Sequence, residues 1–123
     1  MKPNTKSMDN RYYQALHQIV QCIDEIYYFV GTPMLFENYD SNIIVQKAVE
    51  RNLEIIGEAV KRLKEADDTI AITDARKIIN TRNLISHGYD EIQNDRIWVI
   101  VVKSLPILKE EVKALLNGVE EKK

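Results

Sequence analysis

The sequence predicts an all-α protein, an up-and-down antiparallel bundle of four to five helices. Three observations carry that expectation. Apolar residues recur every three or four positions almost throughout, the spacing of one helix face. Only 4 Gly and 3 Pro punctuate the 123 residues, too few for the turns of an all-β sandwich or barrel. The connections between the periodic stretches are short, which favours antiparallel neighbours.

The first helix carries Tyr12, Leu16, Ile19, Val20, Ile23, Ile26, Tyr27 and Val30 on one face. Ser7 or Asp9 is placed to cap its start, and Gly31-Thr32-Pro33 stops it. Thr32 followed by Pro33 reads as a cap and a first-turn residue, so one short helical turn is expected to follow. A second long helix starts near Asp40 or Ser41. It carries Ile44, Val45, Ala48, Val49, Asn52, Ile56, Ala59, Val60 and Leu63. Its outward face pairs charges four apart, such as Glu58 with Arg62. Gly57 inside it costs ~1 kcal/mol relative to alanine, and close approach of another backbone is the preferred reason for its presence.

Residues 66–69 read as a loop, and Thr73 as the cap of a third helix running from Asp74. Gly88 stands where that helix ends, a site suited to positive φ. Asn94 or Asp95 then caps a fourth helix through Ile97, Trp98, Ile100, Val101 and Leu105. Val99 to Val102 is β-branched, but the flanking spacing and the lack of a partner strand favour helix. Pro106 makes the last segment either a kinked continuation or a fifth helix. Asn117-Gly118 is expected to end it, leaving residues 119–123 as a frayed tail.

A chain of 123 residues and 14.3 kDa suits one domain over residues 1–123, with its core about 11–116. Its 45% hydrophobic and 29% charged residues are a globular balance. A single cysteine, Cys22, excludes a disulfide framework and a cysteine-built zinc site, and makes the cytoplasm the default location. Two histidines cannot supply a three-histidine metal site, and neither a metal nor a cofactor is expected. No apolar stretch approaches the ~20 residues of a membrane span, and the first ten residues lack a signal peptide's apolar middle. The net charge of −2 and pI of about 5.7 weigh against a general duplex-DNA binder. They leave room for a small anionic site, where local charge decides.

Most catalytic templates are missing: there is no glycine-rich phosphate loop, no nucleophile elbow and no HExxH pair. His17, at the edge of the first helix's stripe, suits a structural or solvent role, and Cys22 that of a small core residue. The third helix is different. Its apolar face passes through Ala75, Ile78 and Ile79, and Arg82 occupies the next turn. An arginine there either snorkels to solvent or meets an anion. His87, Gly88 and Tyr89 follow at the helix end, where cationic groups also complement the dipole. Five residues along a helix is ~500°, so Arg82 and His87 do not converge on one straight helix. Convergence requires the chain to leave the helix near His87, or a second copy to face the first.

Arg82-Asn83-Leu84-Ile85-Ser86-His87-Gly88-Tyr89 resembles the R-x4-H-x-Y signature of HEPN-domain proteins, specifically the HepT-like toxin family. Residues 51–59 are similar to that family's second-helix block, and Ile97-Trp98, Ile100-Val101 and residues 105–108 to its closing helices. The chain differs where a tryptophan often precedes the arginine, here Ala75, and where a Gly-Met-like pair often stands, here Asn80-Thr81. These differences read as repacking of the third helix.

The resemblance implies a helical bundle forming a two-fold homodimer, with both motifs facing one cleft. It implies a metal-independent ribonuclease, the toxin of a toxin–antitoxin pair, acting on RNA through Arg82 and His87. The cognate antitoxin would be an MntA-like minimal nucleotidyltransferase that adenylylates Tyr89. The chemistry is compatible. Histidine's pKa of ~6.5 suits it to move protons to and from ribose oxygens near neutral pH. Arginine's fork matches two phosphate oxygens. Asn83 either positions phosphate or His87, or is an ordinary polar helix residue. Glu58 either orients Arg82 or pairs with Arg62 in solvent. Tyr89 either presents its hydroxyl at the cleft rim or closes the helix end as a core residue. A non-catalytic HEPN subunit, holding a nucleotide or a partner, is the alternative, and a purely structural helical dimer the weakest. The intact arginine–histidine pair favours the enzyme.

Overall fold

The computed structural model describes residues 5–88 and 94–121. It contains α1 (Thr5–Val30), α2 (Phe36–Asp40), α3 (Ile43–Ala66) and α4 (Ala75–Ser86). A final helical run then comprises α5 (Asn94–Val99), one wide π turn (Ile100–Ser104) and α6 (Leu105–Glu121). No strand occurs among the described residues, so the molecule is an all-α bundle.

The helix directions follow from reach. A helix of 26 residues is ~39 Å long. Residues 31–42, five of them coiled in α2, span at most ~32 Å. The chain therefore cannot return to the start of α1, and α3 runs back along it. The pairing of Glu54 with Ser86 and of Glu58 with Arg82 shows α4 antiparallel to α3. In space the long helices lie in the order α4, α3, α1, α6. Leu16, Ile19, Ile23 and Ile26 of α1 meet Val49, Leu53, Ile56, Ala59 and Val60 of α3 in one core. Leu105, Leu108 and Val112 of α6 complete it.

Helix ends depart from expectation by a few residues, each for a local reason. The described part of α1 already includes Thr5, so Ser7 and Asp9 lie inside the helix rather than at its cap; Lys6 and Met8 are good helix formers. The short helix after Pro33 starts three residues beyond it, from extended Leu35, with Glu37 in its dipole-favoured first turn. α3 is capped by Asn42 rather than Asp40 or Ser41; its Oδ1 accepts from the Ile44 and Val45 amides, each at 3.1 Å. The cap position of α4 is Asp74, because Thr73 is engaged elsewhere. Its amide and hydroxyl both donate to the Glu111 carboxylate, the hydroxyl at 2.6 Å, tying the start of α4 to α6.

Val99 to Val102 is helical, as the spacing requires. Pro106 does not end the run. It lacks an N–H and its ring would press on the carbonyl four residues back. The wide turn directly before it, in which the Leu105 amide bonds the Ile100 carbonyl, absorbs both demands. α6 passes through Asn117-Gly118 to Glu121 rather than ending there, since a helical glycine costs only ~1 kcal/mol. Asn52 is a polar residue of the seam between α1 and α3. Asn52, 6% exposed, donates to the Cys22 carbonyl at 3.2 Å and to Glu25 Oε1 at 2.9 Å, binding α3 to α1. Burial, with Glu25 adding to it, pushes the Cys22 thiol from 9.0 to about 11.

Candidate active site

Gly57 decides how closely α4 lies on α3. A Cβ built there would sit 2.3 Å from Arg82 Cβ, 2.9 Å from Arg82 Cγ and 3.2 Å from the Ile78 carbonyl oxygen. No such atom fits, so the glycine is what lets the first carbons of Arg82 rest on the α3 backbone. Close approach, the preferred reason for Gly57, is the observed one. Ile78 is buried one turn earlier on the same face of α4. Arg82 thus leaves the core at its edge, and its guanidinium meets an anion.

That anion is Glu58, the neighbour of Gly57. Arg82 Nη2 lies 2.9 Å from Glu58 Oε2, with the two side chains 28% and 39% exposed. Glu58 Oε2 is sealed from solvent and receives no aligned hydrogen bond, so the contact is an ion pair held off the ideal N–H direction. Glu58 faces Arg82, and no pair with Arg62 forms among the described residues. Arg82 Nη1 donates to Asn83 Oδ1 at 3.0 Å. A guanidinium carries five N–H donors, so these two neighbours at Nη1 and Nη2 do not use them all.

His87 caps the C-terminus of α4. Its amide donates to the Asn83 carbonyl at 3.0 Å, and the Gly88 amide to that of Ile85 at 3.1 Å. Gly88 has φ +65°, the left-handed conformation expected of it. The chain therefore leaves the helix at His87, one of the two conditions for its ring and Arg82 to serve one site. Both His87 and Gly88 are exposed. Tyr89 lies outside the described residues. One contact at this end carries no signal in the local sequence: Ser86 Oγ donates to Glu54 Oε2 of α3 at 2.8 Å.

The other candidates stay apart from this constellation. His17 is exposed on α1 and meets the Tyr13 ring edge-on at 4.4 Å between centroids. Cys22 is buried. Ala75 is buried in the first turn of α4, while Asn80 is exposed. Among the described residues no group of three His, Cys, Asp or Glu side chains is arranged to hold a metal. No helix of the described residues is long and apolar enough to cross a membrane.

Comparison with known proteins points the same way. Residues 14–115 match the family model described as "Ribonuclease HepT-like". A protein of Caldanaerobacter subterraneus, "Putative RNase TTE0752", is 34% identical over 83 residues, covering 67% of this chain and 74% of that one. Two proteins of Methanocaldococcus jannaschii are similar over more of the chain. "Putative RNase MJ0125" is 28% identical, covering 87% of this chain and 92% of its own. "Putative RNase MJ0127" is 30% identical, covering 85% and 87%. No solved structure matches the chain.

Proposed function

The chain belongs to the ribonuclease HepT-like family, and from that premise we propose that it is the toxin of a toxin–antitoxin pair, a metal-independent endoribonuclease working as a two-fold homodimer in the cytoplasm. The observation that carries this reading is Arg82, fixed by Gly57, Glu58 and Asn83 on the helix that stops five residues later at His87. RNA cleavage of this kind needs a base for the 2′-hydroxyl proton, an acid for the departing 5′-oxygen and a cation for the charged phosphorane. Imidazole at neutral pH can fill either proton role, and the guanidinium fork the third. One chain has a single motif histidine, whereas the reaction has two proton transfers. A second copy supplies the other His87, and a second Arg82, across a shared cleft.

We infer that neutralisation acts through Tyr89, two residues after His87 in the sequence, as the family resemblance implies. Tyr89 Oη attacks the α-phosphorus of ATP bound by the cognate nucleotidyltransferase. Pyrophosphate leaves, the phenolic proton passes to a base, and a tyrosyl adenylate remains. Its phosphodiester is an anion two residues from His87, suited to occupy the Arg82 phosphate site.

RNA incubated with the protein in EDTA tests the reading. Wild type is expected to leave 2′,3′-cyclic phosphate and 5′-hydroxyl ends. Arg82→Ala and His87→Ala are each expected to be inactive with unchanged helical circular dichroism. Monomers alone in light scattering at micromolar concentration would remove the shared cleft, and cleavage by His87→Ala at the original rate would remove the acid–base role.

A further inference from the structure

Glu54 and Glu58 stand one turn apart on α3, and Ser86 and Arg82 one turn apart on α4. They pair in a single antiparallel register, Glu54 with Ser86 at 2.8 Å and Glu58 with Arg82 at 2.9 Å, with Gly57 letting the backbones close between them. The Arg82 rung belongs to the site already described. The Glu54 rung has no place in that chemistry, yet it ends on the residue immediately before His87.

We propose that Glu54 is a positioning residue for His87, acting through the Ser86 hydroxyl. Three observations support it, and it rests on the reading of His87 as the proton-transfer group. First, the terminal turn of a helix frays unless something outside it holds it. The amides of His87 and Gly88 donate within that turn, to Asn83 and Ile85. Ser86 Oγ is a tether from the turn to another helix. Second, a hydroxyl in a helix ordinarily bonds the carbonyl four residues back. Thr81, five residues earlier on α4, does so, donating to the Lys77 carbonyl at 2.8 Å. Ser86 reaches across to a carboxylate instead, at the same 2.8 Å but with a charged acceptor, the stronger kind of bond. Third, Glu54 brings a negative charge to the C-terminal end of α4, where the helix dipole disfavours it. Packing alone gives no reason for that charge; holding the end of α4 does.

With the last residue of α4 held, the Cα of His87 is held, and its ring is presented from a fixed base. A 1 Å error in such placement costs reaction rate more than substrate binding. Glu54→Ala and Ser86→Ala are therefore expected to lower the single-turnover cleavage rate by about 10- to 100-fold, with RNA affinity unchanged. The double variant is expected to be no slower than either single one, because both remove one contact. Ser86→Thr keeps the hydroxyl and is expected to retain most of the rate. Thr81→Ala, which loses a bond inside its own helix, is expected to be unaffected.

Amide hydrogen exchange separates this proposal from the nuclease reading. In both alanine variants the His87 and Gly88 amides are expected to exchange at least about tenfold faster, while Ile78 and Ile79 keep the wild-type rate. Faster exchange in a chain whose wild type cuts no RNA would uphold the tether and overturn the nuclease. Unchanged exchange, additive losses in the double variant, or full cleavage by Glu54→Ala would each overturn the tether and leave the nuclease standing.

Discussion

Replacing Gly57 with alanine forces a Cβ to within 2.3 Å of Arg82 Cβ. Carbon atoms in ordinary contact stand ~3.5–4.0 Å apart, so something must move by more than ~1 Å. A distant side-chain tip could swing away at little cost. Arg82 Cβ cannot, because it is fixed to the α4 backbone, and the Ile78 carbonyl at 3.2 Å blocks a shift toward the start of that helix. The whole of α4 must lift off α3. Overpacking of this kind costs ~1–3 kcal/mol, while alanine's better helix propensity returns ~1 kcal/mol. The net loss is ~0–2 kcal/mol, or up to roughly 10 °C in Tm for a domain of this size, and the full ~1–3 kcal/mol shows only against a glycine-to-alanine change that meets no neighbour. The lift also draws Arg82 away from Glu58, so cleavage is expected to fall by about 100-fold. Gly118 of α6 is the internal control, since a Cβ there meets nothing within 4 Å. Gly118→Ala should leave Tm unchanged or slightly raised, and activity intact. Thermal unfolding followed by circular dichroism reads both. A Gly57→Ala protein as stable as the Gly118→Ala protein would refute the argument that this glycine sets the α3–α4 distance.

Asn52→Ala strips the Cys22 carbonyl and Glu25 of their partner in the α1–α3 seam, and should cost about 1–3 kcal/mol in denaturant unfolding. Glu58→Gln keeps the shape beside Arg82 but removes the charge; the pair is partly exposed, so stability should change by less than ~1 kcal/mol while cleavage falls about tenfold. Burial holds the Cys22 thiol neutral up to about pH 11 in the folded chain, against 9.0 in an open one. The folded state therefore binds that proton more tightly, and the stability it contributes is complete below pH 9 and is lost as the pH rises toward 11. Iodoacetamide at pH 8 should accordingly label Cys22 slowly in the native protein and quickly in urea.

The long helices were legible because burial imposes its own period. The stripe from Leu16 to Ile26 and that from Val49 to Leu63 are the two faces that meet in the core. Caps were less legible, since several polar residues stand near each start and tertiary contacts choose among them. Asn42 caps α3 where Asp40 and Ser41 also qualify, and Thr73 is drawn off to Glu111, 38 residues away. Asn52 falls inside an apolar stripe by spacing, yet it is there as a donor to α1, a role no local pattern records. In the site, Arg82 and His87 stand out by type and position. Glu54 does not, because its partner is 32 residues distant. The recoverable signal was relational: two glutamates four apart on one helix match an arginine and a serine four apart on the helix that returns along it.

The central claim is that His87 and Arg82 drive attack by the RNA's own 2′-hydroxyl. The most direct measurement maps the cut in a defined RNA oligonucleotide, then remakes that oligonucleotide with 2′-deoxyribose only at the nucleotide 5′ to the cut. Both are incubated with the full chain in EDTA. Cleavage of the all-ribose strand, none of the substituted strand at that bond, and tight binding of both is the expected result. Cleavage of the substituted strand at the original rate, or loss of cleavage of the all-ribose strand in EDTA, would contradict it.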